Sequence, residues 1–154
     1  MSTHINFVPI NIAVVTISDT RVLDNDKSGD VLEKRVLESN HKIISREIVK
    51  DDFDKISQLF QNLINNKKID VIISTGGTGL TGRDITPEVM KTLFEKTIDG
   101  FGEMFRWLSY KKIGTSSLQS RALAGVSNGT YIFCLPGSPS ACRDGWDQIL
   151  IHQL

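Results

Sequence analysis

The stretch Ser74-Thr75-Gly76-Gly77-Thr78-Gly79 places three glycines among hydroxyl residues at the end of an apolar run. Glycines let backbone N–H groups close on an anion and hydroxyls add donors, so such a strand-to-helix turn suits a phosphate. A tight turn needing one positive φ explains a single glycine, but not Gly76, Gly77 and Gly79 together. Gly77-Thr78-Gly79-Leu80-Thr81-Gly82 also spells the dinucleotide pattern GxGxxG. That reading, a dinucleotide-dependent oxidoreductase, lacks a helix opening inside the motif and an acid-ended strand after it. A P-loop fails as well, because Arg83 and Asp84 stand where a lysine and a magnesium-binding hydroxyl belong.

Asp84 beside a phosphate turn is repulsive unless a proton or a divalent cation intervenes, and Mg²⁺ between carboxylate and phosphates resolves it. Capping of the helix that opens at Thr86 is the competing role. Asp51 and Asp52, which follow the run Lys42 to Val49, are candidates for a second carboxylate, with helix capping the alternative for Asp52 and Asp54. In Leu135-Pro136-Gly137-Ser138-Pro139, two prolines stiffen a loop whose Ser138 can cap a helix or donate to a ligand. No serine pairs with His4, His41 or His152 in a recognisable triad order. Cys134 and Cys142 lack metal-ligand spacing and read as buried free thiols.

These residues need a frame. Asn11 to Ser18, Lys42 to Val49 and Asp70 to Thr75 are β-branched runs of strand length, and those at Asn11 and Asp70 are apolar enough to be buried on both faces. Helical spacing links Val31, Leu32, Val36 and Leu37 from Gly29 on, with Asn40 as the stop. It also links Ile56, Leu59, Phe60, Leu63 and Ile64 within Asp54 to Asn66. Thr86-Pro87-Glu88 reads as N-cap, first helical residue and first-turn acid. A further helix is expected over Phe101 to Tyr110, with Phe105 and Trp107 as core or subunit-contact residues. Arg121 to Val126 and Thr130 to Leu135 flank Asn128-Gly129, a hairpin signal that turns one strand antiparallel. A last helix carries Ile149 and Leu150. This alternation predicts an α/β protein, a three-layer α/β/α sandwich in one domain over 1–154 with a mostly parallel sheet. Its ligand loops gather beyond the carboxyl ends of the strands.

Equal numbers of basic and acidic residues, 18 each, leave no charge excess for nucleic acid or an anionic membrane. Apolar runs are strand-sized, short of the roughly 18 residues a membrane span needs. The N-terminal stretch from Met1 to Ile10 has no secretory pattern, so the cytoplasm is the expected location.

Taken together, SDTR at 18–21, TGGTG at 75–79, GRDITPE at 82–88, GFGE at 100–103, SRALAGV at 120–126 and LPGSP at 135–139 resemble the MoaB/MogA family of molybdenum cofactor biosynthesis proteins, most closely the MoaB branch. The resemblance spans nearly the whole chain. It implies a molybdopterin-binding fold assembling as a homotrimer or a hexamer of two trimers, with other molybdenum cofactor biosynthesis proteins among its partners. Adenylyltransferase members use ATP and Mg²⁺, or Mn²⁺ with the same oxygen ligands, to transfer AMP to molybdopterin. By that resemblance Asp51 and Asp84 are the catalytic and metal-binding pair. Thr75, Gly76, Gly77, Thr78, Gly79, Glu103, Ser120, Arg121, Pro136, Gly137, Ser138 and Pro139 would lie against molybdopterin, and Ser18, Asp19, Asp26, Ser28 and Gly29 against the nucleotide. Lys50-Asp51-Asp52 departs from the Pro-Asp-Glu of MogA-type members, which leaves the register of the second aspartate open. A non-catalytic molybdopterin carrier or scaffold of the same fold is the rival reading.

Overall fold

The computed structural model describes residues 6–154; His4 and the start of the N-terminal stretch lie outside them. The strands are β1 (Asn11–Ile17), β2 (Lys42–Val49), β3 (Val71–Thr75), β4 (Lys96–Thr97), β5 (Leu123–Ser127) and β6 (Thr130–Leu135). The helices are α1 (Lys27–Glu38), α2 (Phe53–Asn65), α3 (Thr86–Leu93), α4 (Asp99–Ile113), α5 (Pro139–Gly145) and α6 (Ile151–Gln153), the last two joined by a π-helical stretch at Trp146–Leu150. One sheet runs in the order β2-β1-β3-β6-β5-β4. β1 pairs in parallel with β2 and β3, and β3 with β6, while β5 runs antiparallel to β6 and to β4. The expected single reversed strand is therefore β5. Asn128 (φ 48°) and Gly129 (φ 79°) turn the hairpin before β6, as an Asn-Gly pair favours.

Strand side chains alternate between faces, and so do the two cores. Ile12, Val14, Val71, Ile73, Phe133 and Leu135 pack with α1, α4 and the C-terminal helices. Ala13, Val15, Ile72, Ile132 and Cys134 pack with α2 and α3. Burial on both faces explains why β1 and β3 read as unbroken apolar runs, whereas the edge strand β2 is only partly buried. Two local expectations differ from the structure. Leu37, assigned to the apolar stripe of α1, is 52% exposed on the helix's outer side. The two-residue β4 went unanticipated, being too short to leave a periodic signal. Of the α4 aromatics, Phe105 is buried and Trp107 is exposed, its ring lying under the Lys111 Nζ at 3.7 Å.

Both cysteines are free and fully buried. Burial pushes Cys134 up to about 12 and Cys142 up to about 11, so both are inert as nucleophiles. Among the described residues no helix is long and apolar enough to cross a membrane.

Candidate functional site

β1, β2, β3 and β6 end together at Ile17, Val49, Thr75 and Leu135, so the segments that follow them meet at one sheet edge. Hydrogen bonds tie these segments to one another. The Ser18 N–H donates to the Val49 carbonyl (2.8 Å), and the Gly76 N–H to the Leu135 carbonyl (3.0 Å). Asp51 N–H donates to Asp19 Oδ1 at 3.1 Å. Ser28 Oγ donates to the Gly137 carbonyl at 2.7 Å, where Arg21 also arrives at 3.2 Å.

Within the glycine turn, Gly76 (φ 105°) and Gly77 (φ 72°) occupy conformations L side chains rarely adopt. A Cβ on Gly76 would lie 2.2 Å from the Ile17 carbonyl oxygen, and one on Gly77 2.2 Å from Thr86 Oγ1. The turn is thus pressed against the end of β1 and the start of α3. The N–H groups of Gly77, Thr78 and Gly79 find no acceptor among the described residues.

The hydroxyls behave differently from the sequence expectation. Ser74 and Thr75 are fully buried. Thr75 Oγ1 donates to the Pro136 carbonyl at 2.8 Å, binding two loops together instead of facing a ligand. Thr86 lies inside α3 behind the N-cap Ile85, and its hydroxyl donates to the Gly76 carbonyl at 3.0 Å. Ser138 is the N-cap of α5, accepting from the Ala141 N–H at 3.0 Å, and Pro139 opens that helix.

Asp84 does not cap α3. Its Oδ2 accepts from the Thr81 N–H (2.9 Å) and hydroxyl (2.7 Å), folding the loop back on itself. Asp52 caps α2 through the Lys55 N–H at 2.9 Å. Asp51 is thereby the residue left facing the site. Burial first, then the charges of Asp19 and Asp84, hold the Asp51 carboxyl above its usual range. Asp19, in contrast, is held below that range chiefly by its hydrogen bonds from Arg83.

The Asp51 shift has a direct consequence for stability. A carboxyl whose folded-state pKa is raised disfavours the fold once it ionises, so the penalty is absent well below 3.8 and complete above the raised value. Asp51→Asn is expected to unfold at higher denaturant than the wild type at pH 7 and at the same denaturant near pH 3. Urea titrations at the two pH values check this.

Several candidates make contacts within the protein. Asp26, expected near the nucleotide, is fully buried. Its carboxylate caps α1 through the Gly29 N–H (3.1 Å), accepts from Thr16 Oγ1 (2.7 Å) and meets Arg46 (3.2 Å). Ser28 and Gly29 are buried beside it. Asp26→Ala leaves Arg46 facing a gap and the helix uncapped, and should cost about 3 kcal/mol in urea denaturation. Arg121 clamps the glycine loop through the carbonyls of Gly79 and Asp84, both at 2.8 Å, and pairs with Glu88. Ser120, just before it, receives Arg106 on its carbonyl. Glu103 is exposed on α4 with no bond to these loops.

Sequence reasoning passed over Lys50 and also Arg21 and Arg46, which reach Gly137 and Asp26. Lys50 and Asp19 line a hollow of about 580 Å³ with Thr20, Arg21, Leu23 and Ile48. A larger hollow, about 830 Å³, opens at the opposite sheet edge around Asp70, Phe101 and Tyr131 and holds none of the candidate residues.

Residues 13–154 match the family model described as "Probable molybdopterin binding domain". Molybdenum cofactor biosynthesis protein B of Escherichia coli (strain K12) is 44% identical over 148 residues, covering 96% of this chain and 87% of the relative. A Methanocaldococcus jannaschii protein named "Probable molybdopterin adenylyltransferase" is 40% identical over 147 residues, covering 91% and 87%. A crystal structure of a molybdenum cofactor biosynthesis protein B superposes with a TM-score of 0.92 at 40% identity, over 95% of this chain and 91% of that one. The tungsten cofactor synthesizing protein MoaB from Pyrococcus furiosus superposes with a TM-score of 0.82 at 35% identity, over 92% and 91%. With the sheet order, the glycine turn and these matches in agreement, the chain belongs to the MoaB/MogA family of molybdenum cofactor biosynthesis proteins.

Proposed function

We propose that this chain is a Mg²⁺-dependent molybdopterin adenylyltransferase, transferring AMP from ATP to the terminal phosphate of molybdopterin. The observation that carries the reading is a juxtaposition: the unpartnered N–H groups of Gly77, Thr78 and Gly79 lie beside the carboxylates Asp51 and Asp84. Anion donors next to uncompensated acids suit phosphates that arrive with a divalent cation. The name of the Methanocaldococcus relative points the same way.

The donor set fits Mg²⁺. Both carboxylates lean over the glycines, Asp51 Oδ1 standing 3.3 Å from where a Cβ on Gly77 would be and Asp84 Oδ2 2.8 Å from one on Gly79. Among the described residues no three acidic, histidine or cysteine side chains form a cage. Two carboxylates, with phosphate and water oxygens filling the remaining positions, match this ion's habit of binding through few protein ligands. Mn²⁺ fits the same oxygens. When bound, the ion would supply charge neutralisation on the phosphate oxygens.

In the reaction a phosphate oxygen of molybdopterin bonds to the α-phosphorus of ATP. The bond from that phosphorus to the bridging oxygen breaks, and pyrophosphate leaves with the electron pair. The glycine turn and the Pro136-Gly137-Ser138 loop would orient molybdopterin, and the Ser18-Asp19 loop would flank ATP. Arg121, by fixing the carbonyls of Gly79 and Asp84, would hold the loop that carries these N–H groups in place.

The same reading includes a homotrimer or a hexamer, supported by the exposed Met104, Trp107, Tyr110 and Ile113 of α4. The partners are small molecules together with other proteins of cofactor biosynthesis. Incubating the purified protein with molybdopterin, ATP and Mg²⁺ should yield adenylylated molybdopterin and pyrophosphate. Molybdopterin binding without turnover would instead identify a carrier, a role compatible with relatives named only as biosynthesis protein B.

A further inference from the structure

Among the described residues, Arg121, Arg21, Lys50 and Arg83 stand near the mouth of the site, and they are not equally available. Arg121 donates to the carbonyls of Gly79 and Asp84, and Arg21 to Ser28 Oγ and the Gly137 carbonyl. Neither can leave without deforming the loop it holds. Lys50 lines the hollow beside Asp19. Arg83 is different. Among the described residues its guanidinium is bonded to Asp19 alone, Nε to Oδ2 and Nη2 to Oδ1, both at 2.9 Å.

The pair is exposed, with 68% of the Arg83 side chain and 35% of the Asp19 side chain accessible. Solvent screening makes such pairs weak and exchangeable. Arg83 also belongs to the loop that carries the free N–H groups of Gly77 to Gly79 and immediately precedes Asp84. A polyphosphate offers the guanidinium fork the same two-oxygen geometry as a carboxylate, with more charge behind it.

The geometry points to a latch, in which Asp19 holds Arg83 until the phosphates of an incoming polyphosphate take the guanidinium from it. This rests on the phosphate reading of the site and adds a ligand-binding residue and its ground-state competitor. Asp19 is the cost of that arrangement: every binding event must first break the bidentate pair. Its Oδ1 also accepts from the Asp51 N–H, and asparagine at this position keeps an acceptor there.

A double-mutant cycle tests the latch, with ATP and inorganic pyrophosphate, each in the presence of Mg²⁺, as probes in calorimetric titrations of wild type, Asp19→Asn, Arg83→Gln and the double variant. Asp19→Asn should tighten binding about fivefold by freeing Arg83. Arg83→Gln should weaken it about tenfold or more. The decisive comparison is the double variant, in which the gain from Asp19→Asn should vanish. An equal gain with and without Arg83 would mean that Asp19 merely repels the anion, and would overturn the latch. So would weakening by both single changes, the result of a purely structural pair. Binding of pyrophosphate but not ATP, with the cycle intact, would keep the latch and sink the adenylyltransferase reading. Failure of the wild type to bind either probe would sink both.

Discussion

Asp84→Asn is expected to lower adenylyl transfer about 10²- to 10³-fold, the loss typical when a positioned electrostatic group is removed from a phosphoryl or acyl transfer site. Asparagine is the informative replacement because of what Asp84 does locally. Its Oδ2 accepts from both the N–H and the hydroxyl of Thr81, and the amide oxygen of asparagine can accept the same two bonds. The Asp84 carbonyl, which receives Arg121, is untouched. The loop should therefore keep its shape and the melting temperature should change little, while the charge is lost. Molybdopterin binding should survive, because the N–H groups of the glycine turn do not depend on that charge. Rates measured with molybdopterin, ATP and Mg²⁺, alongside a thermal melt, separate the effects. A variant that turns over at the wild-type rate would remove Asp84 from the chemistry. Alanine would confuse the matter by unfastening Thr81 as well.

The largest stability loss is expected from Gly76→Ala. The residue holds φ at 105°, and the added methyl would stand 2.2 Å from the Ile17 carbonyl oxygen. That oxygen cannot yield easily, since Ile17 ends β1 in register with Val49 of β2, and the neighbouring Thr16 is in register with Thr75 of β3. Conformational strain of about 1–3 kcal/mol adds to the displacement of packed backbone, for a total of roughly 3–5 kcal/mol. For a chain of this size the melting temperature should fall by about 6–20 °C. Gly82→Ala is the internal control, because nothing lies within 4 Å of the added carbon. It should change stability by no more than about 0.5 kcal/mol. If the two variants melt together, the glycine turn is not pressed against β1 as described.

Much of the architecture was legible because its signals are local. β1 and β3 are continuous β-branched runs, α2 has a strong apolar stripe, and Asn128-Gly129 marks a turn that backbone sterics nearly dictate. Parallel strands joined by helices then deliver their loops to one edge, so the meeting of the Ser18, Asp51, Gly76 and Pro136 segments follows from topology. Leu37 marks the limit of this reasoning. Its spacing fits the apolar face of α1, yet the helix turns it outward, since periodicity gives a face only to within about one residue's rotation.

The site divides along the same line. The glycine turn and the acidic residue behind it are visible from residue types, because an anion-binding backbone needs glycine and a charge next to it needs an explanation. Three-dimensional contacts alone separate Asp51, which faces Asp19 and Asp84, from Asp52, which caps α2. They also place Asp26 and Thr75 as buried and hydrogen-bonded within the protein, and pair Arg83 with Asp19. Residue identity carries the kind of chemistry and the turns that local sterics impose. Capping by Asp52 of its own helix is a local matter, but the pairing of Asp26 with Arg46 and of Asp19 with Arg83 depends on partners 20 and 64 residues away that only folding brings together.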